Sequence, residues 1–478
     1  MATLTKKVAF NTSIQIISKI ITTIIGILTI GLITRYLGVI GFGEYTTIFA
    51  FLGFFSILAD MGLFSIIVRE IARQPEEGEK IIGNIFTIRI LAAFLLLGCA
   101  CLAGFLIPKY SPNIKIGIAI GAIASFFTLL NQALVGIFQV NLRMDRTAIA
   151  DVIGRFAILS GTIFVINKNL GFLPIVFANA GGNLILFLIS FFMASRFIKI
   201  RLHFEFDFWK WALKETLPLA LIVILGLVYF KVDSILLSFF KGSWEMGIYG
   251  APYKILEILI TLPAIFMGSV FPILSRYIAT SDPRIGATFQ KSFDFISLMA
   301  WPIVSGTFVL AGPIIHLIAG PGFDASIVVM QILIFAVGII FFGTLMGNTI
   351  IAANIQKRLV KAYLISVVFN LIANLIFIPI FSYFAAAIIT ICTELLVCLF
   401  AYSMIKKHLG LIPDLKVFSK AALAAIIMGG VLYFIKINLI ASIVLGSLIY
   451  FLVLILTKAI TKEMFQRVLG YGAESKQI

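Results

Sequence analysis

The chain has 478 residues, of which 61% are hydrophobic and only 12% are charged, and its formal net charge is +16. Soluble domains carry roughly 25% charged residues, and no water-soluble fold can bury this much apolar surface, so the composition predicts an integral membrane protein. The basic residues lie between apolar runs, where membrane topology accounts for them, and nucleic-acid binding is therefore not expected.

Fourteen apolar runs of spanning length follow one another along the chain, separated by short polar loops with Gly and Pro. Helices are expected, because a helix satisfies its backbone hydrogen bonds inside a bilayer. The break between the eleventh and twelfth runs, near 379–383, is the least distinct. The runs cover about residues 8–34, 45–67, 81–107, 114–140, 147–166, 171–195, 214–239, 246–275, 289–318, 326–352, 360–380, 383–404, 418–435 and 438–457.

The distribution of Lys and Arg predicts how these spans are oriented. If the N-terminus is cytoplasmic, 26 of the 37 basic residues fall on the cytoplasmic side, six on the opposite side and five within spans. Basic residues concentrate in cytoplasmic loops, and a wrong number of spans would scramble this asymmetry. The sequence therefore predicts a multi-pass protein of the cytoplasmic (inner) membrane with both termini in the cytoplasm.

A weak internal repeat relates the first six spans to the next six. Gly43-Glu44-Tyr45 before the second span recurs as Gly247-Ile248-Tyr249 before the eighth. We expect two six-helix lobes, at 1–200 and 201–410, followed by two additional helices and a cytoplasmic tail at 411–478. Repeats of this kind place a substrate path near the membrane midplane at their interface.

The sequence offers no candidate for a catalytic or metal site. Four cysteines lie inside apolar segments at spacings that match no metal or redox motif, and the three histidines are scattered. The outward loops reach only about ten residues, too short to hold a catalytic domain. We expect no catalytic residues, no metal, no cofactor and no enzymatic activity, so the function must lie in polar groups within the spans.

Several spans carry polar side chains on one helical face. In the first span these are Asn11, Gln15 and Lys19, and Lys19 lies too deep to reach the interface comfortably. Such a stripe either packs against other helices or lines a water-filled cavity, and the depth of Lys19 favours the cavity. Amides in other spans could contact sugar hydroxyls or hold helices together: Gln132, Asn179, Asn183, Asn370 and Asn374.

Nine charged residues fall within or close to the spans, and some can pair locally. Lys254 with Glu257 and Asp151 with Arg155 have spacings that allow intrahelical ion pairs. Lys19, Arg89 and Lys231 then lack an obvious partner in sequence, and an unpaired cation in a cavity attracts an anion such as a phosphate. The acidic residues of interest are Asp60, Asp233, Glu257 and Glu394.

Three motifs resemble a known family. They are Arg-Tyr-Leu-Gly-Val-Ile-Gly-Phe-Gly-Glu-Tyr at 35–45, Ile-Leu-Ala-Asp-Met-Gly-Leu at 57–63 and Arg-Glu-Ile-Ala-Arg at 69–73. The succession resembles the polysaccharide and O-antigen flippases of the multidrug, oligosaccharidyl-lipid and polysaccharide exporter superfamily. The motifs cover about 40 residues, and the fourteen-span layout agrees over the whole chain.

The resemblance implies a flippase that moves a polyprenyl-diphosphate-linked oligosaccharide from the cytoplasmic to the outer leaflet by alternating access around a cationic cavity. It implies that Lys19, with Arg89 and Lys231 behind it, binds the diphosphate. Asp60 serves either helix packing or gating, and coupling to a proton or sodium ion through Asp60, Asp233, Glu257 or Glu394 is left open. The expected partners are the lipid-linked oligosaccharide, membrane lipids and proteins of polysaccharide assembly.

Two other functions compete with this interpretation. A drug or cation antiporter of the same superfamily would need carboxylates in its cavity, whereas basic groups slightly outnumber acidic ones within these spans. A membrane polysaccharide polymerase or ligase would need a sizeable external loop with acceptor and catalytic residues. The sequence lacks such a loop, so the enzyme is the weaker alternative.

Overall fold

The computed structural model describes residues 2–435 and 437–459. The regular structure of these residues consists of fifteen α-helices and one short 3₁₀ turn, Pro75–Glu77. The helices are α1 (Ala2–Asp60), α2 (Leu63–Arg73), α3 (Gly78–Leu106), α4 (Pro112–Val140), α5 (Met144–Asn167), α6 (Phe172–Ala194), α7 (Phe206–Phe240), α8 (Ser243–Leu259), α9 (Thr261–Ala279), α10 (Arg284–Val309), α11 (Ala311–Ile318), α12 (Ala325–Ala352), α13 (Gln356–Leu409), α14 (Lys416–Phe434) and α15 (Leu439–Leu456).

The helices account for the predicted membrane crossings. Eleven segments of the described residues are long and apolar enough to span a bilayer, and two of them, with 61 and 50 residues, are long enough to cross twice. Left-handed backbone angles at Gly38 (φ 65°) and Ser382 (φ 55°) divide these two segments near the predicted loops. If these two segments cross twice, the eleven segments give thirteen crossings. Helix α7, which contains the seventh predicted run, gives the fourteenth. The prediction of an all-helical membrane protein is confirmed.

Three predicted spans are interrupted in the structure. The run at 45–67 breaks after α1, where Met61 (φ 46°) and Gly62 (φ 73°) adopt left-handed angles before α2 begins. The runs at 246–275 and 289–318 are each divided into two helices, α8 with α9 and α10 with α11. Pro263 and Pro313 lie in the first turn of α9 and α11, where the missing N–H of proline costs no intrahelical hydrogen bond.

The described chain divides into two compact units. The first comprises the described residues of Met1–Ala251, Leu317–Phe323 and Tyr363–Ala386. Within it α1 packs against α3, α4 and α5, and α6 packs against α4 and α5. Helix α7 also packs against α1, α2 and α3, so residues beyond 200 associate with the first six spans. The lobe boundaries at 200 and 410 stay a prediction.

The second unit comprises Pro252–His316, Asp324–Ala362 and the described residues of Ala387–Ile478. Helix α10 packs against α12 and α14, and α14 packs against α15. Small side chains at Ala421 and Ala425 let α14 approach α10 closely, and the Ser305 hydroxyl donates a 2.6 Å hydrogen bond to the carbonyl of Ala425. The two last spans therefore pack on α10 within this unit.

Helices α1 and α8 cross at the two glycines of the sequence repeat, both in the first unit. A Cβ on Gly43 would lie 1.6 Å from the carbonyl oxygen of Ser243, and one on Gly247 would lie 2.1 Å from that of Val39. Ser243 precedes Gly247 by four positions, and Val39 precedes Gly43 by four positions. The two sides of the crossing therefore have the same register. This equivalence supports the proposed repeat and explains why both positions are glycine.

Candidate functional site

Helix α1 exposes Lys19 and Gln15 between its buried side and its apolar side. The apolar side carries exposed aliphatic side chains: Ile16, Ile17, Ile20, Ile21, Ile24 and Leu28. With about 100° per residue, Lys19 lies roughly 140° around the helix from Ile24 and about 100° from the buried Ser18. The exposure of Lys19 and Gln15 is therefore at the edge of the apolar stripe and not at its centre.

The C-terminal half of α4 presents a second polar stripe. Between Thr128 and Gln139, a stretch described throughout, the exposed residues are Thr128, Gln132 and Gln139, while most of the other residues are buried. Spacings of four and seven residues place the three on one helical face. A helix that is enclosed by protein elsewhere and exposes only polar groups has the pattern expected beside a hydrated space.

Helix α5 adds Asp151 and Arg155. Arg155 is exposed, and it lies roughly 160° around the helix from the exposed apolar Ile153. Its neighbours on the same arc, Ala148 and Thr162, are buried. Arg155 therefore projects from the protein-facing side of α5, and α5 packs against α1, the helix that carries Lys19.

A chain of hydrogen bonds joins α4, α6 and the second half of α1. The Thr128 hydroxyl donates to Asn183 Oδ1 at 3.1 Å, and Asn183 Nδ2 donates to Asn179 Oδ1 at 2.9 Å. Asn179 Nδ2 in turn donates to the Tyr45 hydroxyl at 3.2 Å. The amide ladder therefore ends at the Tyr45 hydroxyl in the second half of α1.

We call the following residues the polar face of the first unit: Gln15, Lys19, Thr128, Gln132, Asp151, Arg155, Asn179 and Asn183. Its charged groups are two cations, Lys19 and Arg155, and one carboxylate, Asp151. Neither Lys19 nor Arg155 forms an ion pair or a hydrogen bond through its side chain with another residue in the described part of the chain. Both can accordingly accept an anionic ligand.

The predicted role of Arg89 needs correction. Its side chain is 1% exposed, Nη2 forms an ion pair with Asp60 across 29 residues, and Nη1 donates to the carbonyl of Leu129 at 2.7 Å. A buried and paired guanidinium is not accessible to a head group in this conformation. Of the two roles considered for Asp60, the pairing favours helix packing over gating.

The other predicted charges, with the exception of Glu394, have contacts of their own. Lys254 and Glu257 form the predicted ion pair at 2.8 Å. Asp233 is 2% exposed and accepts hydrogen bonds from the Tyr249 hydroxyl and, at 2.6 Å, from the backbone N–H of Ser234. Lys231 is half-buried and has contacts of its own, and Glu394 is buried on α13 in the second unit. Roles of these groups in substrate binding or ion coupling stay predictions.

Three predicted cavity-lining amides are buried in the structure. Asn11 is buried and donates a 2.6 Å hydrogen bond to the carbonyl of Leu142, which ties α1 to the loop before α5. Asn370 and Asn374 are also buried, and Asn374 Nδ2 donates to both oxygens of Asn370, at 2.9 and 3.0 Å. The bond of Asn11 joins two elements, whereas those of Asn374 run along α13, and a cavity-lining role of the three amides stays a prediction.

Sequence reasoning identified Lys19, Gln15, Gln132 and the two asparagines of α6 but passed over Arg155. The spacing of Arg155 from Asp151 had suggested an intrahelical ion pair, yet the described residues contain no such pair at salt-bridge distance. The signal for it was its position around α5. Arg155 lies on the side of the helix opposite to the exposed apolar Ile153. Among the described residues, no group of three or more potential metal ligands was found.

Comparison with known proteins agrees with this architecture. The family model described as polysaccharide biosynthesis protein matches residues 8–278, more than half of the chain. The chain belongs to this family. The resemblance predicted from the motifs at 35–73 is thereby confirmed.

The individual relatives have low sequence identity to this chain but match most of its length. The probable low-salt glycan biosynthesis flippase Agl15 of Haloferax volcanii is 21% identical over 366 residues, which cover 74% of each chain. The lipid II flippase MurJ in an inward closed conformation superposes with a TM-score of 0.77 at 17% identity, covering 96% of this chain and 99% of that one. An inward-facing multidrug resistance MATE transporter gives 0.63 at 15% identity, covering 81% and 95%. These likenesses establish the fold.

Proposed function

We propose that this protein is a flippase that moves a polyprenyl-diphosphate-linked oligosaccharide from the cytoplasmic to the outer leaflet of the cell membrane by alternating access. The observation that carries the proposal is the pair of accessible cations Lys19 and Arg155, which lie away from the centres of the apolar stripes of α1 and α5. In an apolar surrounding an accessible cation requires water or an anion, and a diphosphate supplies the anion. The family and the flippase name of its relative support the same activity.

The two cations suit a diphosphate by charge and by geometry. Arg155 can donate two parallel hydrogen bonds to phosphate oxygens, while Lys19 provides a compact charge on the adjacent helix. They come from different helices, so an elongated anion can contact both. In a membrane that is negative inside, moving the head group outward gains about 2.3 kcal/mol per charge per 100 mV. The membrane potential can thus contribute to the direction of transport.

The amide ladder suits the sugar part of the substrate. Hydroxyl groups of a sugar both donate and accept hydrogen bonds, and so do the side chains of Thr128, Asn179 and Asn183. Gln132 lies on the same stripe of α4 as Thr128 and is exposed. The polar face therefore combines cations for the diphosphate with uncharged groups for the carbohydrate, whereas a cation antiporter would need the opposite charge.

The test is transport by purified protein in lipid vesicles that contain a labelled polyprenyl-diphosphate oligosaccharide. Lys19→Gln and Arg155→Gln should each reduce the rate of transfer between leaflets at least roughly tenfold, which corresponds to about 1.4 kcal/mol. Lys168→Gln is the matched control, because Lys168 is an exposed cation just beyond the end of α5. Wild-type rates in both test variants, with the protein correctly inserted, would exclude the polar face from transport.

The same vesicles separate the alternatives. Efflux of a cationic dye, with no movement of the labelled lipid, would support the antiporter. Growth of the oligosaccharide chain on incubation with the lipid-linked sugar would support a polymerase or ligase. Varying the proton and sodium gradients tests ion coupling, and tagging each terminus tests the predicted cytoplasmic orientation. Association with polysaccharide assembly proteins is a further expectation of the proposal.

A further inference from the structure

We infer that Asp151 is a positioning residue for the two head-group cations, a built-in counter-ion that the substrate diphosphate must displace. The inference rests on the proposed function, since it assumes that Lys19 and Arg155 receive the head group. It concerns a residue for which sequence spacing suggested only a local ion pair. Asp151 holds the cations in place when the site is empty and limits how tightly it binds an anion.

The packing of α1 on α5 brings the three charges together. The Ser18 hydroxyl donates a 3.3 Å hydrogen bond to the carbonyl of Ala148, which fixes the two helices at this level. Lys19 follows Ser18 directly, and Asp151 lies one turn beyond Ala148. Arg155 lies one further turn along the same arc of α5. The packing thus brings Asp151 close to both cations, and in the described chain its carboxylate forms no ion pair at salt-bridge distance with either.

No other carboxylate on the surrounding helices competes for these cations. Helix α6 contains no charged residue, and the only charged residue of α4 is Lys115 in its first turn. The remaining acidic residues of α1 and α5 have partners elsewhere: Glu44 accepts hydrogen bonds from Ser111 and Asn113, Asp60 pairs with Arg89, and Asp145 pairs with Arg143 and Arg146. Among the described residues, Asp151 is therefore the carboxylate that balances Lys19 and Arg155.

This arrangement leaves the polar face with about one net positive charge. A diphosphate is attracted, but it meets the opposing charge of Asp151 close to its own binding position. Transport requires release as well as capture, and an interaction that strengthens binding in every state slows departure. Removing the carboxylate should therefore tighten binding and lower the maximal rate, which a purely structural residue would not do.

Asp151→Asn in the vesicle assay tests the inference. We expect the half-saturating concentration of labelled lipid-linked oligosaccharide to fall by roughly three- to tenfold, and the maximal rate to fall as well. Inorganic pyrophosphate should inhibit the variant at a correspondingly lower concentration. Asp151→Glu should restore both values toward wild type. Asp145→Asn, which alters an acidic residue in the first turn of the same helix, should leave the half-saturating concentration unchanged.

A higher or unchanged half-saturating concentration in Asp151→Asn would overturn the inference. If that variant inserts poorly, the pyrophosphate inhibition of Asp151→Glu gives a second measurement, and a loss of inhibition there would also count against the inference. The two proposals fail differently. If Lys19→Gln and Arg155→Gln abolish transport while Asp151→Asn binds as wild type, only the role of Asp151 is excluded. If the cation variants transport normally, both are excluded.

Discussion

The glycine crossing of α1 and α8 gives a prediction whose size follows from the structure. Gly43→Ala adds a Cβ that would lie 1.6 Å from the carbonyl oxygen of Ser243 and 2.8 Å from the backbone N of Gly247. An ordinary contact needs at least 3.4 Å, so the two backbones must move apart by about 2 Å. Both obstructing atoms belong to the main chain, which cannot rotate away as a flexible side chain can.

The expected loss exceeds the intrinsic benefit of alanine. Overpacking typically costs about 1–3 kcal/mol, and separation of a close helix crossing lies at the upper end of that range. Alanine in a helix is favoured over glycine by about 1 kcal/mol, which offsets only part of it. We expect a net destabilisation on the order of 2 kcal/mol, or a fall in melting temperature of roughly 2–4 °C for a chain of this length.

The measurement is thermal unfolding of purified protein in detergent, with Gly53→Ala as the matched control. Gly53 lies on the same helix and has no atom within 4 Å of an added Cβ, so its substitution should be neutral or stabilising. If Gly43→Ala melts at the same temperature as Gly53→Ala, the close approach of α1 and α8 is wrong. Gly247→Ala should reproduce the effect, because its Cβ meets the carbonyl of Val39.

Two further predictions concern ion pairs of the first unit. Arg89→Met should destabilise the protein by about 3–5 kcal/mol, since it leaves Asp60 unpaired, and adding Asp60→Asn should recover part of that loss in the same unfolding assay. The hydrogen bond from Lys80 lowers the pKa of the Glu205 carboxyl from its ordinary 4.5. The stability that the ionised carboxyl contributes is therefore fully present above pH 4.5 and is lost as the pH falls through the lowered pKa. The difference in melting temperature between wild type and Glu205→Gln should therefore stay constant at neutral pH and shrink below pH 4.5.

The membrane architecture was predictable because it depends on length and apolar composition. Each crossing needs about 20 apolar residues, and this requirement is local in sequence. The break near 379–383, the least distinct in sequence, coincides with the left-handed Ser382. The interruptions after Asp60, at Ile260 and at Leu310 were missed, because the apolar runs continue through them and hydropathy does not register a change of backbone direction.

The site was only partly predictable because pairing is a tertiary property. Arg89 lacked a partner nearby in sequence, but Asp60 reaches it from the end of another helix. Arg155 had a candidate partner one turn away, yet that carboxylate is shared with Lys19 instead of being closed into an ion pair. Spacing can show which residues share a helical face, whereas the identity of the facing helix decides which charges are neutralised.

The contrast between Arg89 and the other two cations also bears on where water must be. Arg89 is surrounded by protein and is compensated by a carboxylate and a backbone carbonyl, so it is stable without solvent. Lys19 and Arg155 share one carboxylate, which leaves about one positive charge uncompensated among the described residues. Burying an isolated charge in an apolar medium is far too unfavourable for a folded protein to sustain. Under the proposed function the polar face is therefore hydrated when empty, and it offers an anionic head group the hydrated, positively charged surface that the head group needs in order to leave the interface.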